Sequence, residues 1–333
     1  MTDQISTPAT VTALDAATPR PRWQVLLIRP ETMTFILLIL AFVVSSLISP
    51  YFLDINYILS SFTLYAEFSI VALVLTMVII AGEIDLSPAA NMALSACLFA
   101  WTYQAGLPLP LAVLVGLAAG VLMGAFNAVL VIGLQLPSII VTIGTLTLYR
   151  GLAQIIAGDQ SIRLPAYFNG INNWLIAGIP VPVLLFVLLS LVLSFFLGAT
   201  IWGRQIYQIG TNEVAARHAG IRAKRIKFML FIAMGFASAV AGLMTASRLG
   251  SVRYDLGLGG ELQMVLMAML GGTYIFGGRG SILGTFLAAW LLTVISTGML
   301  TAQWLPATQL CVLGLLLIIS IIATNFIYSR TQR

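Results

Sequence analysis

Residues Gly203 to Lys227 read GRQIYQIGTNEVAARHAGIRAKRIK, and the fold turns on where this stretch is placed. It is the one long polar, basic segment between hydrophobic spans. It carries six Lys/Arg residues (Arg204, Arg217, Arg222, Lys224, Arg225, Lys227), a single acid, Glu213, and the only histidine, His218. Lys and Arg near span ends favour the cytoplasmic side, so the segment is expected to hang inside the cell. Its centre reads as a short helix: Asn212 as N-cap, Glu213 in the first turn, Ala215 and Ala216 as helix formers, Gly220 as the stop. Two readings stay open. Either this short, exposed helix is a plug for a socket on another protein, or the segment is a solvated connector that obeys the topology rule.

The sequence on either side is apolar. Of 333 residues, 60% are hydrophobic and 8% charged, and the mean hydropathy is +1.03. A soluble domain has roughly 25% charged residues, and no water-soluble core absorbs this much apolar sequence. The chain is therefore expected to be an all-α polytopic membrane protein. Its net charge of +5 follows from the inside loops; the basic residues sit at span ends, not in a stripe with aromatics, so no nucleic acid is implied. Cys97 and Cys311 fall inside apolar segments as small core residues, and no metal-ligand spacing exists. Residues 1–30 are expected to form a disordered cytoplasmic tail and interfacial segment. Met1–Pro21 is too polar to order itself and lacks the apolar core of a signal peptide, while Trp23 and Arg29 suit a membrane interface. Residues 31–333 form the membrane domain, with 203–227 as its cytoplasmic loop.

Ten spans of about 20 residues are predicted: Met33–Ser49, Tyr57–Ala81, Leu86–Tyr103, Leu109–Leu134, Pro137–Ala157, Pro180–Trp202, Phe228–Leu249, Leu262–Phe276, Ser281–Leu300 and Pro306–Tyr328. A longer polar loop, Gly158–Ile179, separates the fifth and sixth. With Arg20, Arg22 and Arg29 inside, six crossings bring the chain back inside at Gly203, and four more at Arg330 and Arg333. Twelve Lys/Arg, counting Arg279, then face the cytoplasm; Arg150, Arg163, Arg248 and Arg253 lie towards the outside. Spans 3, 5 and 8 are short or rich in small and polar residues, and are candidates for broken or re-entrant segments. Leu136-Pro137 opens span 5 and Leu305-Pro306 opens span 10. Spans 2–5 and 7–10 thus read as two inverted four-helix repeats, which meet at a pathway near the midplane.

Three further stretches invite a chemical reading. In Ala81–Asn91, AGEIDLSPAAN, Ser87-Pro88 forms an N-cap and N1 pair for span 3. Glu83 and Asp85 belong either to a polar hairpin or to a proton or cation path, since ionisable groups at bilayer depth usually have a job. Glu67 and Arg150 either pair with each other or Arg150 snorkels outward; snorkelling is the expected outcome. Gly271–Gly284, GGTYIFGGRGSILG, nearly imitates a phosphate loop, but Gly278 stands where Lys is required and no strand precedes it. A tight turn with glycines for close helix packing is expected there, and a close-packing face at Gly120 and Gly124. No catalytic constellation and no nucleotide motif appears, so uphill transport would need ion coupling or a separate motor. Asn91, Asn127, Thr142, Thr145 and Gln263 are polar groups in or beside apolar spans; they line a substrate path or hydrogen-bond between helices.

The order of these motifs resembles the permeases of the ribose-type branch of bacterial ATP-binding-cassette sugar importers. GEIDLSPAANMAL (82–94) is similar to that family's Gly-Gly-Ile-Asp-Leu-Ser loop, with Asp85, Leu86 and Ser87 in place; Glu83 replaces a Gly, and Pro88-Ala89 replaces Val-Gly. GTNEVAARHAGIRAKRIKF (210–228) resembles its coupling loop, LPSIIVTIGTL (136–146) also matches, and GGTYIFGGRGSILGT resembles its Gly-rich turn. The resemblance runs from about Met33 to about Phe326. It implies a non-catalytic permease of the bacterial inner membrane, both termini cytoplasmic, that binds no cofactor or metal itself. Asn212, Glu213, Ala215, Ala216, Arg217, Gly220 and Ile221 would form the coupling helix, docked on an ATPase subunit. A periplasmic sugar-binding protein would deliver a monosaccharide (a pentose, deoxyhexose or related furanosyl compound), and a second permease, identical or paralogous, would complete an alternating-access path. Two other classes remain: an ion-coupled secondary transporter using Glu67, Glu83 and Asp85, and an assembly or receptor protein that transports nothing.

Overall fold

Inside hydrocarbon a backbone must satisfy its own hydrogen bonds, which leaves helices and closed barrels. Here the apolar stretches become helices. The computed structural model describes residues 30–169 and 174–331, so the expected tail and interfacial segment, apart from Pro30, lies outside the described residues. In chain order the helices are α1 (Pro30–Ile48), α2 (Ile55–Phe62), α3 (Ala66–Ile80), α4 (Pro88–Gln104), α5 (Leu109–Ala128, continued by a π turn Val129–Gly133), α6 (Ser138–Ala157), α7 (Ala166–Asn169), α8 (Val181–Ala199), α9 (Ile201–Thr211), α10 (Glu213–His218), α11 (Ala223–Leu249), α12 (Gly260–Leu270), α13 (Ile282–Thr301) and α14 (Pro306–Thr331). The strands are two-residue pieces. β1 (Ile162–Arg163) pairs antiparallel with β4 (Ser251–Val252), and β2 (Leu175–Ile176) with β3 (Ile179–Pro180).

The all-α membrane architecture is as expected, but the count of ten full crossings is corrected. Among the described residues seven helices are long and apolar enough to span a membrane: α1, α5, α6, α8, α11, α13 and α14. The pair α2–α3, bent by 63°, is either an eighth, broken span or a re-entrant loop. Span 2 is bent where α2 ends at Phe62 and α3 begins at Ala66; beside the bend Ser60 Oγ donates to Tyr57 O at 2.9 Å and Thr63 Oγ1 to Ser60 O at 2.6 Å. Span 3 is α4, 17 residues. Span 8 is α12, 11 residues, a rise of about 16 Å against about 30 Å of hydrocarbon. Span 5, in contrast, is the unbroken 20-residue α6. Span 6 stops at Ala199, because Thr200 Oγ1 accepts from Gly203 N at 3.1 Å and opens α9. Much of the polar segment 203–227 is thus helix as well.

α3 is apolar along nearly its whole length, with Glu67 in its first turn as its one charge, and it is buried on nearly every side. It packs on α11, α12 and α8; α11 packs on α3, α4 and α5. The expected glycine face is where α5 crosses α11: a Cβ at Gly124 would lie 2.3 Å from Phe231 O, and one at Gly235 2.2 Å from Gly120 O. Contacts also follow the repeat. α4 packs on α5 and α6 as α12 packs on α13 and α14, and α11 on α4 and α5 as α3 packs on α12 and α13. The turns after α5 and α13 share a further feature: Gln135 (φ 58°) and Gln303 (φ 56°) adopt the left-handed region shortly before Pro137 and Pro306. Cys97 is buried as expected, whereas Cys311 is exposed on α14. α1, α6 and α14 present broad apolar outer faces.

Candidate functional site

The short helix in the basic segment forms as its residues dictate. Asn212 Oδ1 accepts from Ala215 N at 3.0 Å, Glu213 fills the first turn, and Gly220 (φ +83°) ends the run in a conformation that suits glycine. Ala216 turns inward, while Val214, Ala215, Arg217, His218, Ala219 and Gly220 stay exposed. Val214 is 66% exposed; the composition of the loop did not single it out as an apolar knob. Beside α10 an open groove of about 370 Å³ runs along α9, lined by Tyr207, Gln208, Thr211, Asn212, Ala215, Ala216, Ala219 and Ile221.

Behind this exposed face the three sequence motifs meet. The glycine-rich turn Gly271–Gly280 wedges between the end of α9 and the end of α3. Gly278 N donates to Ile80 O at 2.8 Å, and Tyr207 Oη to Gly280 O at 2.8 Å. A Cβ at Gly210 would lie 1.7 Å from Ile80 O and 2.5 Å from Gly278 N, so only glycine allows this approach. Lys227 of α11 donates to Glu213 Oε2 and to Glu83 Oε1, both at 2.6 Å, and Arg217 pairs with Glu213. Burial by itself raises the Glu213 pKa; hydrogen bonds and charge from Lys227, then Arg217, outweigh it and hold the carboxyl below its usual range. An open cavity of about 340 Å³ adjoins the cluster, lined by Glu83, Gln135, Ser138, Glu213, Lys224 and Lys227 among others.

The turn Gly82–Ser87 carries the contacts further in. Ile84 N donates to Ser138 Oγ at 3.2 Å, and Thr142 Oγ1 donates to Ile84 O at 3.3 Å and Ser138 O at 2.8 Å. Asp85 Oδ1 accepts from Ser87 N (2.9 Å) and Ser87 Oγ (2.7 Å). Pro88 opens α4 as expected, but Ser87 does not cap it; its hydroxyl serves Asp85 instead. Burial pushes the Asp85 carboxyl up to about 6, against the lowering effect of the two Ser87 bonds. Asn127 Nδ2 donates to Ser87 Oγ at 2.8 Å, and Tyr149 Oη lies 3.1 Å from Asn127 Oδ1 and 2.9 Å from Met123 O. Asn91 donates to Gly120 O at 3.3 Å and accepts from Ser95 Oγ at 3.1 Å. In this conformation Asn91, Asn127 and Thr142 therefore bond between elements, with Thr145 buried one turn above Thr142. Gln263 stands apart from them on α12 with a buried, unbonded Oε1. Glu67 and Arg150 do not pair with each other. Arg150 donates to Tyr254 O at 2.8 Å and Leu256 O at 2.7 Å, while Glu67, 1% exposed, pairs with Arg248 at 2.8 Å. Inward carbonyls of a distant loop supply Arg150 with acceptors that sequence spacing did not reveal.

The family described as the branched-chain amino acid transport system / permease component matches residues 57–321. The chain belongs to this family of transporter permeases, in which the ribose-type importers are a branch. The permease is 34% identical over 303 residues to the autoinducer 2 import system permease protein LsrD of Escherichia coli (strain K12), covering 89% of this chain and 92% of that one. The same figures hold for the LsrD protein of Shigella flexneri. The LsrD protein of Enterobacter sp. (strain 638) is 36% identical over 276 residues, 81% of this chain and 84% of its own. No solved structure matches the permease.

Proposed function

We propose that this permease is the membrane-spanning subunit of an ATP-binding-cassette importer for a monosaccharide or a related furanosyl compound, in the bacterial inner membrane with both termini cytoplasmic. The observation that carries the reading is α10: a capped, exposed helix beside an open groove, bonded through Lys227 to the turn between α3 and α4. A separate ATPase takes Asn212, Glu213, Ala215, Ala216, Arg217, Gly220 and Ile221 as its docking element. Its closure on ATP moves α10, and a pair of permeases, identical or paralogous, rocks between inward-open and outward-open states. A periplasmic binding protein delivers the solute and supplies the affinity. Two things support the substrate class: the names of the relatives, which are permease proteins of an autoinducer 2 import system, and the ribose-type motifs. Asn91, Asn127, Thr142, Thr145 and Gln263 are our candidates for polar groups that meet the solute as the helices rearrange, with Asp85, Leu86 and Ser87 holding the turn beside them.

The test is uptake into proteoliposomes holding the permease, its ATPase and its binding protein, with ion gradients collapsed. ATP-dependent uptake of a labelled monosaccharide is expected. Uptake that follows an imposed proton or sodium gradient and ignores ATP would replace this reading with ion coupling.

A further inference from the structure

Lys227 is a buried cation, 7% exposed, held by two carboxylates that belong to different parts of the machine. Glu213, 14 residues earlier in the chain, is on α10. Glu83 is on the turn that ends α3 and opens α4. With Arg217, the group is formally neutral: two cations and two acids. Removing the Glu83 charge does not orphan Lys227, because Glu213 remains. What it removes is the ionic tie between α10 and the inner turn.

That turn is gripped on its far side by α6. Ile84 bonds Ser138 and Thr142, and the line Ser87–Asn127–Tyr149 reaches the middle of the same helix. The next residue, Arg150, holds the Tyr254 and Leu256 carbonyls in the loop beyond α11. An unbroken series of contacts therefore joins the exposed helix at one end of the bundle to a loop at the other. Beside its ionic link, the cavity lined by Glu83, Gln135 and Ser138 leaves that link room to move.

We infer that the Glu83–Lys227–Glu213 bridge is the joint through which displacement of α10 reaches the α3–α4 turn and α6, with Glu83 a positioning residue for transport. The inference rests on the proposed ATPase-driven function. Contiguity alone is not coupling, so the test reads coupling directly. In the complete complex in proteoliposomes, uptake and ATP hydrolysis are measured on one sample. For Glu83→Gln and Glu83→Ala, solute moved per ATP falls about tenfold while hydrolysis stays within about twofold, and Glu83→Asp recovers most of the ratio. Uptake and hydrolysis falling in proportion, or an unchanged ratio, overturns the joint. A second measurement does not depend on the motor. Spin labels on Ala219→Cys and Thr147→Cys, both exposed, in a Cys311→Ser background that removes the exposed native thiol, report the α10–α6 distance in the isolated permease. Wild type gives one narrow distribution and Glu83→Ala a broad one; identical distributions overturn the joint even if wild type proves not to use ATP, in which case the functional reading falls on its own.

Discussion

Replacing Gly210 by Ala asks whether the junction behind α10 is as tight as its geometry implies. Gly210 lies inside α9, so on helix propensity alone Ala gains up to about 1 kcal/mol. The added Cβ, however, meets Ile80 O at 1.7 Å, and real Cβ atoms stop near 3.0 Å, so the two backbones must part by the difference, 1.3 Å. Both opposing atoms are main chain and cannot rotate away. Parting them breaks the 2.8 Å bond from Gly278 N to Ile80 O. A buried orphaned donor costs about 1–3 kcal/mol, and overpacking about 1–3 kcal/mol more. The loss wins by about 3 kcal/mol, and the apparent Tm of the purified permease in detergent falls by several degrees. Gly198→Ala is the counterpart: Gly198 also lies in a helix, with nothing within 4 Å of its would-be Cβ. That variant holds or gains stability, by up to about 1 kcal/mol. Shifts of the same sign in both variants, or a Gly210→Ala protein as stable as wild type, would refute the close approach.

Other perturbations follow from the same geometry. Asp85 has a pKa raised to about 6, so its ionised form is the one disfavoured by folding; the stability it contributes is complete at low pH and lost as pH rises through about 6. Melting curves at pH 4 and pH 8 should show Asp85→Asn gaining on wild type by roughly 1–3 kcal/mol more at the higher pH, part of that gain being present by pH 5; a gap independent of pH contradicts the burial argument. Asn212→Ala removes the cap of α10, at about 1 kcal/mol, so the ATPase should bind permease in nanodiscs about fivefold more weakly, with Asn212→Asp near wild type; equal affinity for Asn212→Ala would count against α10 as the docked element. Arg150→Met strips two charge-assisted bonds, each worth about 1.5–3 kcal/mol. Hydrogen exchange at the Leu256 and Leu258 amides, bonded to Arg253 O and Asp255 O, should accelerate at least tenfold; no change would mean that Arg150 does not brace the loop.

Much of this was legible in the sequence for stated reasons. Long apolar runs have no other stable form in a bilayer, and Asn212, Glu213 and Gly220 cap, charge and stop α10 by local chemistry. Gly120 and Gly124 signalled a close crossing, though not that Gly235 would face them. Lengths were less legible. Hydropathy does not register the bend between Phe62 and Ala66 in span 2, nor that α12 ends at Leu270, with Gly271 as its C-cap, short of the expected Phe276. Least legible were the long-range pairings. Arg150 bonds carbonyls 104 and 106 residues away, and Glu67 meets Arg248 across 181. The meeting of the basic segment, the GEIDLS turn and the glycine-rich turn at Gly210, Ile80 and Gly278 depends on how three remote turns are brought to one end of the bundle.

The central claim, that α10 is where a separate motor grips the permease, is tested most directly by crosslinking from its exposed face. In a Cys311→Ser background, which removes the exposed native thiol, Ala215→Cys carrying a short photoreactive group is irradiated in membranes that contain the co-expressed ATPase; Leu258→Cys, exposed in the loop after α11, is treated alike. The account predicts a covalent adduct to the ATPase from position 215 that changes in yield when ATP is added, and none from position 258. An adduct from position 258 with none from 215 would contradict it.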